Sequence, residues 1–453
     1  MKRCDTKRLL ILVLAIFLAA CSAGGQEPAP KRTEMVIATM NPYGINSELR
    51  KAVGKFNRSH KDVRVTIKNY WGDTPEEAQQ KQMQLKTEIA SGKMPDIIDI
   101  GQHGTWMKML PYHQLVEKGY LEDLWPYIEN DPELGKEALF LAPLKAAEVD
   151  GGLYTIFNSV RLNTCVGAKR VVGERYGWTP EELWEAYRSM PENSTVFMKG
   201  FTQYSVFSRI LCMNLDSYVN WETGQCDFDR EDFRSALEFV KSSSAEVRFP
   251  ETQEEIKAID EERYAQMEEG RLMLSDVRGF VDMQYMDIIY REPVSFVGYP
   301  TADGSAGSSF DPRGNKMSIS STCKDKDAAW EIIRHMLLPQ YESPDDFGRN
   351  YLDFIVAGVP INLSDYDMQK RAYMSNRLGT RSMGNIYFHK ATEEEFQRYE
   401  DFLSHIEKIE LYDCTLLDLV WECCGAYLAG DKSIDETITL IENRVGLYIN
   451  EVK

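Results

Sequence analysis

The chain has no paired-cysteine framework, no catalytic signature and, past its N-terminal segment, no apolar run long enough to span a bilayer. Nine cysteines occur. Those after Cys21 are Cys165, Cys212, Cys226, Cys323, Cys414, Cys423 and Cys424, an odd and irregularly spaced set. Cys212 and Cys226 are the two able to pair outside a cell, but thiols packed as small hydrophobes are the favoured reading. Cys423-Cys424 has neither a C-x-x-C partner nor a nearby histidine, so helix packing explains it better than a metal. His103 and His113 are too isolated for a zinc site. There is no Gly-x-Ser-x-Gly elbow, no His-Glu-x-x-His and no phosphate-cradling Gly-x-x-x-x-Gly-Lys. The acidic run from Asp227 reaches Asp232, where a calcium loop needs glycine. Positive charge is also scarce, since the formal net charge is -19. That balance argues against nucleic acid and against anionic ligands drawn in by the overall field. It suits a neutral ligand and is compatible with a basic one.

The N-terminus reads as a leader. Lys2, Arg3, Lys7 and Arg8 make it basic, and Leu9 to Ala20 form an apolar stretch too short for a membrane span. Leu18-Ala19-Ala20-Cys21-Ser22 resembles a bacterial lipobox, in which Cys21 is lipidated and becomes the new terminus. Residues 1–20 are then a lipoprotein signal peptide and 21–33 a flexible tether rich in Gly, Ala and Pro. Acyl chains would hold the protein on the extracellular face of the cell membrane.

The rest is longer than one ordinary domain, so two lobes are expected. Met35–Thr39 reads as a strand. Ser47 opens a helix with Leu49, Val53 and Phe56 on one face. Val63–Lys68 alternates as a half-buried strand. Thr74-Pro75-Glu76-Glu77 is a helix start, and Asp96–Ile100 is a third strand. This β-α-β-α-β order predicts a parallel sheet between helices. Further strands are expected at Arg271–Ser275 and Val294–Tyr299. Thr179/Glu182, Thr252/Glu255, Thr392/Glu395 and Ser433/Glu436 have the spacing of capping boxes. No repeats occur.

Ligands of open α/β sheets collect outside the carboxyl ends of strands. Tyr43, Trp71 and the Gln102/His103/Trp106 loop each follow a strand in the first half. Asp276 and Arg278 follow one in the second. Aromatic faces and planar polar groups suit a sugar. Asp276 and Arg278 could instead pair with each other as a structural ion pair. Trp421 sits on a helix over Thr415–Ala429 and is a weaker candidate, better placed for the core. Trp330 belongs in the core.

Several ordered segments carry a resemblance. They are Phe56-Asn57, Gly92-Lys93-Met94-Pro95-Asp96-Ile97-Ile98, Lys118–Leu124, Gly152-Leu153-Tyr154, Glu269–Leu274, Gly298–Thr301, Ala328–Ile333 and Ala429–Ser433. Together they resemble the extracellular solute-binding proteins (family 1, sugar-type) of bacterial ABC importers. The chain departs from that pattern at Arg278-Gly279-Phe280 and at Tyr154-Thr155-Ile156-Phe157, which bears on substrate more than on fold. The resemblance implies an α/β, periplasmic-binding-protein-like fold of two lobes with a hinge and an interlobe cleft. Lobe 1 would hold 34–153 with 299–357, and lobe 2 would hold 154–298 with 358–453, with crossings near Tyr154, Tyr299 and Val359. It implies a lipid-anchored monomer that captures a carbohydrate, an oligosaccharide by expectation, and delivers it to an ABC permease, with no cofactor, no metal and no bond made or broken. A binder of a peptide or polyamine, or a surface carbohydrate-active enzyme whose paired carboxylates leave no mark in sequence, are the alternatives.

Overall fold

The computed structural model describes residues 32–101, 110–197, 202–221, 223–242, 252–343, 358–375, 382–383, 386–387 and 389–452. The first lobe begins with β1 (Thr33–Thr39), where Met35, Ile37 and Ala38 are buried. Helix α1 (Ser47–Ser59) buries Leu49, Val53 and Phe56, and its cap is Asn46, whose side chain accepts the Leu49 N–H at 2.8 Å. Strand β2 (Val63–Asn69) is parallel to β1, with Ile67 opposite Ile37. It is the edge of its sheet, so only Val65 is fully buried on it and Ile67 stays 41% exposed. Thr74 caps α2 (Pro75–Ala90) by accepting the Glu77 N–H at 3.2 Å. That helix ends where Gly92 takes a φ of +74°, which lets the Lys93 N–H reach the Glu88 carbonyl at 2.9 Å. Strand β3 (Ile97–Asp99) lies parallel to β1 on its other side. The parallel β-α-β-α-β core is therefore as expected. A short helix, α3 (Tyr112–Glu117), follows.

The chain crosses to the second lobe just after Ile156, which bridges to Met317. Strand β4 (Ser159–Ala168) is the spine of the second sheet. Helix α4 (Gln203–Tyr218) packs in this lobe, and β5 (Ser275–Val277), α5 (Phe280–Tyr290), β6 (Val294–Ser295) and β7 (Ser309–Pro312) follow. All three of these strands run antiparallel to β4. The apolar run Leu272-Met273-Leu274 is fully buried and extended, but it bonds to Thr195 and Val196, and the regular strand starts only at Ser275.

Strand β8 (Met317–Ile319) returns to the first sheet, antiparallel to β3, giving the order β8-β3-β1-β2. The return crossing thus falls between Pro312 and Met317, not near Tyr299, and 299–312 belongs with lobe 2. The reason is local. Gly298 has a φ of +69°, and Gly307 comes so close that a Cβ there would stand 1.7 Å from the Tyr299 carbonyl oxygen. The chain therefore folds back on itself, with the Tyr299 N–H on the Gly307 carbonyl at 2.7 Å, and rejoins the sheet it left. Helix α6 (Lys326–Ile333) buries Trp330, whose indole N–H donates to Asp131 at 2.9 Å. Strand β9 (Val359–Pro360) crosses back and pairs with β4 at Val160 and Ser159.

Helix α7 (Glu393–Leu403), β10 (Lys408–Ile409), α8 (Cys414–Ala429) and α9 (Ile434–Val452) complete lobe 2. The Thr179/Glu182 and Thr392/Glu395 capping boxes form in full. Cys423 and Cys424 are buried on α8. All seven cysteines among the described residues are free thiols, Cys212 and Cys226 included. The three crossings lie side by side: Met317 N–H to the Ile156 carbonyl at 2.9 Å, Arg313 N–H to Ser159 at 2.9 Å, and Ile361 N–H to Asn158 at 2.9 Å. They form the hinge.

Candidate functional site

A cavity of about 260 Å³ opens where β4, β5 and β7 meet the hinge. Strand alternation builds its floor. Val160 is fully buried and Leu162 nearly so, while Arg161 and Asn163 between and beyond them are half-buried on the cavity side. Across the ladder, Arg161 stands opposite Asp311, and Asn163 opposite Ser309. The end of β5 brings Asp276 and Arg278. Arg209 and Ser208 reach in from α4, Arg313 from the hinge, and Glu410 with Tyr412 from the segment after β10.

The charges are unevenly committed. Asp276 is held by Arg209 Nη2 at 2.9 Å and by the phenol of fully buried Tyr299, while Arg209 Nε donates to the same phenol oxygen at 2.7 Å. Burial disfavours the Arg209 charge, yet Tyr299 and Asp276 outweigh it and raise its pKa. Burial, then Asp276, pushes the Tyr299 phenol far up, so it stays a donor. Asp276 is thus in a structural ion pair, but with Arg209 and not with Arg278. Arg313 pairs with Asp311 at 3.0 Å. Arg278 uses its backbone N–H on Asp282 at 2.9 Å, and its side chain stands exposed at the cavity. Burial lowers the Arg161 pKa, and Arg313 and Arg278 lower it further.

Glu410 accepts from Asn163 Nδ2 and from Ser309 Oγ, the latter at 3.2 Å. Burial, helped by the charge on Asp311, pushes its carboxyl up to about 7. At the hinge, Asp99 is fully buried and accepts from Thr39 Oγ1 at 3.0 Å, Asn315 Nδ2 at 2.7 Å and the Lys316 N–H at 3.0 Å. It welds the end of β3 to the returning crossing. Lys316 is buried beside it, and burial depresses its ammonium pKa against the pull of Asp311 and Asp99.

A second cavity, of about 210 Å³, shares Cys212 and Tyr412 with the first and lies between the lobes. Tyr112, His113 and Ala147 wall it from lobe 1; Trp221 and Leu411 wall it from lobe 2. The His113 ring faces Trp221 at 6.1 Å between centroids. Beside it, Gln114 Nε2 donates across the lobes to Asp413 Oδ2 at 3.0 Å, and the Tyr448 hydroxyl donates to the same oxygen at 2.5 Å.

The sequence-derived candidates fare unevenly. Asp276 and Arg278 line the first cavity together. Gln102, His103 and Trp106 lie outside the described residues. Tyr43 borders neither cavity; it is 85% exposed on a turn after β1, beside Arg50, because Gly44 at a φ of +74° swings the chain outward. Trp71 also borders neither; it packs half-buried on the lobe 1 core and donates its indole N–H to Asp73 at 2.8 Å. Trp421 packs at 5.1 Å from Phe207 and 5.3 Å from Tyr204, on the lobe 2 core and off both cavities. Arg161, Arg209, Arg313, Glu410 and Trp221 escaped the sequence reading. Only Arg161 and Asn163 left a signal, the polar steps of Val160-Arg161-Leu162-Asn163. Among the described residues no group of three acidic, histidine or cysteine side chains could hold a metal ion, and no helix is long and apolar enough to cross a membrane.

Comparison with known proteins bears on the fold. Residues 43–155 match the family model described as bacterial extracellular solute-binding protein. No curated protein sequence matches the chain. Among solved structures, the sugar-binding protein MalE of Xanthomonas citri is similar at 14% identity and TM-score 0.52, over 92% of this chain and 98% of that one. A periplasmic oligogalacturonide-binding protein of Yersinia enterocolitica is similar at 15% identity and TM-score 0.52, over 93% and 100%. An ABC substrate-binding protein of Listeria monocytogenes in complex with cycloalternan is similar at 15% identity and TM-score 0.50, over 93% and 100%. At such identities the likeness speaks for the fold. Residues 43–155 thus match the model of the bacterial extracellular solute-binding proteins, and the whole chain shares the two-lobed, periplasmic-binding-protein-like fold of these structures.

Proposed function

We propose that this protein captures a carbohydrate in the cleft between its lobes and presents it to an ABC permease, tethered outside the cell by acyl chains on Cys21. The observation that carries the reading is the adjoining pair of cavities at the hinge, one lined by polar side chains of lobe 2 and one walled by both lobes. A ligand seated there touches both lobes, so its binding free energy favours the closed form, which is the state a transporter would read. Planar guanidinium and amide groups beside Tyr412 and Trp221 are suited to sugar hydroxyls and C–H faces. The likeness to solute-binding proteins whose names specify sugars supports carbohydrate over peptide or polyamine.

A thermal-shift screen of saccharides, peptides and polyamines on the purified chain tests the reading. A saccharide is expected to raise the melting temperature and to leave the reaction mixture chemically unchanged. Arg278→Ala is expected to weaken the best hit about tenfold or more, because it removes an exposed cavity cation at little structural cost. Stabilisation by cationic or peptide ligands alone would replace the assignment. Anchoring is tested separately: Cys21→Ala should move the protein from the membrane fraction to the medium.

A further inference from the structure

The basic residues of this acidic chain are unevenly spread. From Arg50 to Lys68 seven lysines and arginines stand against one acid, Asp62, in a chain whose formal charge is -19. Lys55 and Arg58 lie a turn apart on one face of α1, Lys61 is in the turn that follows, and Arg64 is the second residue of β2; all four are exposed. The Asn57 amide clamps the end of that helix to β2, accepting the Val65 N–H at 2.8 Å and donating to the Val65 carbonyl at 2.9 Å. Arg32, just before β1, is exposed as well. None of these five cations makes an ion pair among the described residues. The acids beside them are Asp62, Glu34, which accepts from the Thr66 hydroxyl at 3.1 Å, and Glu331, which faces His60 at 3.4 Å.

The chain enters the fold at this same pole. The Thr33 N–H bonds to the Asp62 carbonyl at 2.7 Å, and Thr33 stands opposite Val63 in the parallel ladder. Cys21 lies eleven residues before Arg32. A lipid on Cys21 therefore keeps Arg32 within about 40 Å of the bilayer, the reach of that length of extended chain. Tethering raises the effective concentration of the bilayer at the patch, so a weak attraction is enough to engage it. Both cavities lie toward the other pole. Asp99 marks the hinge at the end of β3, Thr39 at the end of β1 bonds to it, and the length of β1 puts about 20 Å between hinge and patch.

We infer that Arg32, Lys55, Arg58, Lys61 and Arg64 form a docking face for the anionic phospholipid headgroups of the membrane that carries the tether, with the cleft turned away from the bilayer. The inference rests on the anchoring reading and adds an orientation to it. Headgroup phosphates are spread over a plane, which fits exposed cations spread around one pole better than a pocket for a single anion. The overall negative charge does not cancel the attraction, because a Debye length of about 8 Å lets the bilayer meet only the nearest charges. Repulsion of the acidic remainder turns the molecule the same way.

The test is co-sedimentation of the purified, unacylated Cys21→Ala chain with vesicles of phosphatidylglycerol and phosphatidylcholine in equal parts, and with vesicles of phosphatidylcholine alone. At about 0.1 M salt it is expected to bind the anionic vesicles and not the neutral ones, and to let go as salt rises to about 0.5 M. Adding Lys55→Gln, Arg58→Gln, Lys61→Gln and Arg64→Gln together should weaken binding by at least about 30-fold. The same exchange at Lys118, Arg188, Lys257 and Lys432, exposed elsewhere on the surface, alters the net charge equally but should weaken binding by less than about threefold. Circular dichroism is expected to match the parent in both variants. Equal losses in the two variants, equal binding to the two kinds of vesicle, or no binding to either overturns the docking face. Mass spectrometry of the wild-type chain separates this from the anchoring reading: an unacylated Cys21 overturns the tether and the orientation built on it, whereas an acylated Cys21 without vesicle binding overturns the docking face alone.

Discussion

Glu410 is the cavity residue with the clearest pH signature near neutrality. Its carboxyl has an ordinary pKa of 4.5 and is pushed up to about 7, first by burial and then by Asp311. Between those values the folded chain holds a proton that the unfolded chain has released. Stability therefore falls as pH rises across that window and is lowest above it. Glu410→Gln keeps the acceptor for Asn163 and Ser309 and removes the charge. It is expected to stabilise the protein by about 1–3 kcal/mol near pH 8 and to change little near pH 5, measured by urea unfolding at both. An equal effect at the two pH values would contradict the assignment. Asp311 and Asp276 face Glu410 across the cavity, as do Arg161, Arg209, Arg278 and Arg313.

At the scale of elements, turns decide where strands go. The segment 298–307 keeps Ser309–Pro312 in lobe 2 because Gly307 lies against the Tyr299 carbonyl, and Gly307→Ala would place a Cβ 1.7 Å from that oxygen. The substitution is expected to cost more than about 3 kcal/mol, since backbone must move. Gly92→Ala offers the contrast. Its φ of +74° disfavours a side chain, but nothing stands within 4 Å of the added Cβ. Its cost should be about 1 kcal/mol, from backbone strain alone. Chemical denaturation of the two variants separates these outcomes; equal losses would mean that the close approach at Gly307 yields without penalty. The elements most readable in sequence were those with local causes. Thr74-Pro75 starts α2, Gly92 ends it, and the 3.6-residue spacing of Leu49, Val53 and Phe56 marks α1. The run Arg271–Ser275 was legible as extended chain but not as part of a particular ladder, because its partners Thr195 and Val196 lie far off in sequence.

For the whole molecule, contact between the lobes is expected to bias the balance of open and closed forms. Gln114 on α3 reaches Asp413 at the N-terminus of α8, and Tyr448 on α9 shares the same carboxylate oxygen. Gln114→Ala removes the only one of these two bonds that crosses the cleft. It is expected to open the unliganded protein, seen as a larger radius of gyration by solution scattering. It should also weaken ligand binding by about 0.5–1.5 kcal/mol, the worth of one hydrogen bond made in the closed form. Unchanged scattering and affinity would show that the hinge strands alone hold the lobes. Asp99 acts at the same scale. It is buried, and its bonds join β1, β3 and the crossing at Asn315–Lys316.

Local chemistry alone settled much of this protein. Hydrophobic periodicity, caps and glycines define the β-α-β-α-β start of lobe 1, and the ordered short motifs indicated the two-lobed fold. The position of Asp276 and Arg278 after a strand was enough to bring them to the cavity. Only the tertiary structure decided the return crossing and the company these residues keep. Arg161, Arg209, Arg313 and Glu410 come from four distant segments and meet because β4 pairs with β7 and α4 packs beside them. It also placed Tyr43, Trp71 and Trp421, whose residue types suit a sugar, away from both hinge cavities. The overall acidic charge argued for a neutral ligand, whereas the cavity gathers the scarcer arginines. Electrostatic interaction falls with distance and with screening, so the sign of a site follows its nearest charges and not the sum over the chain.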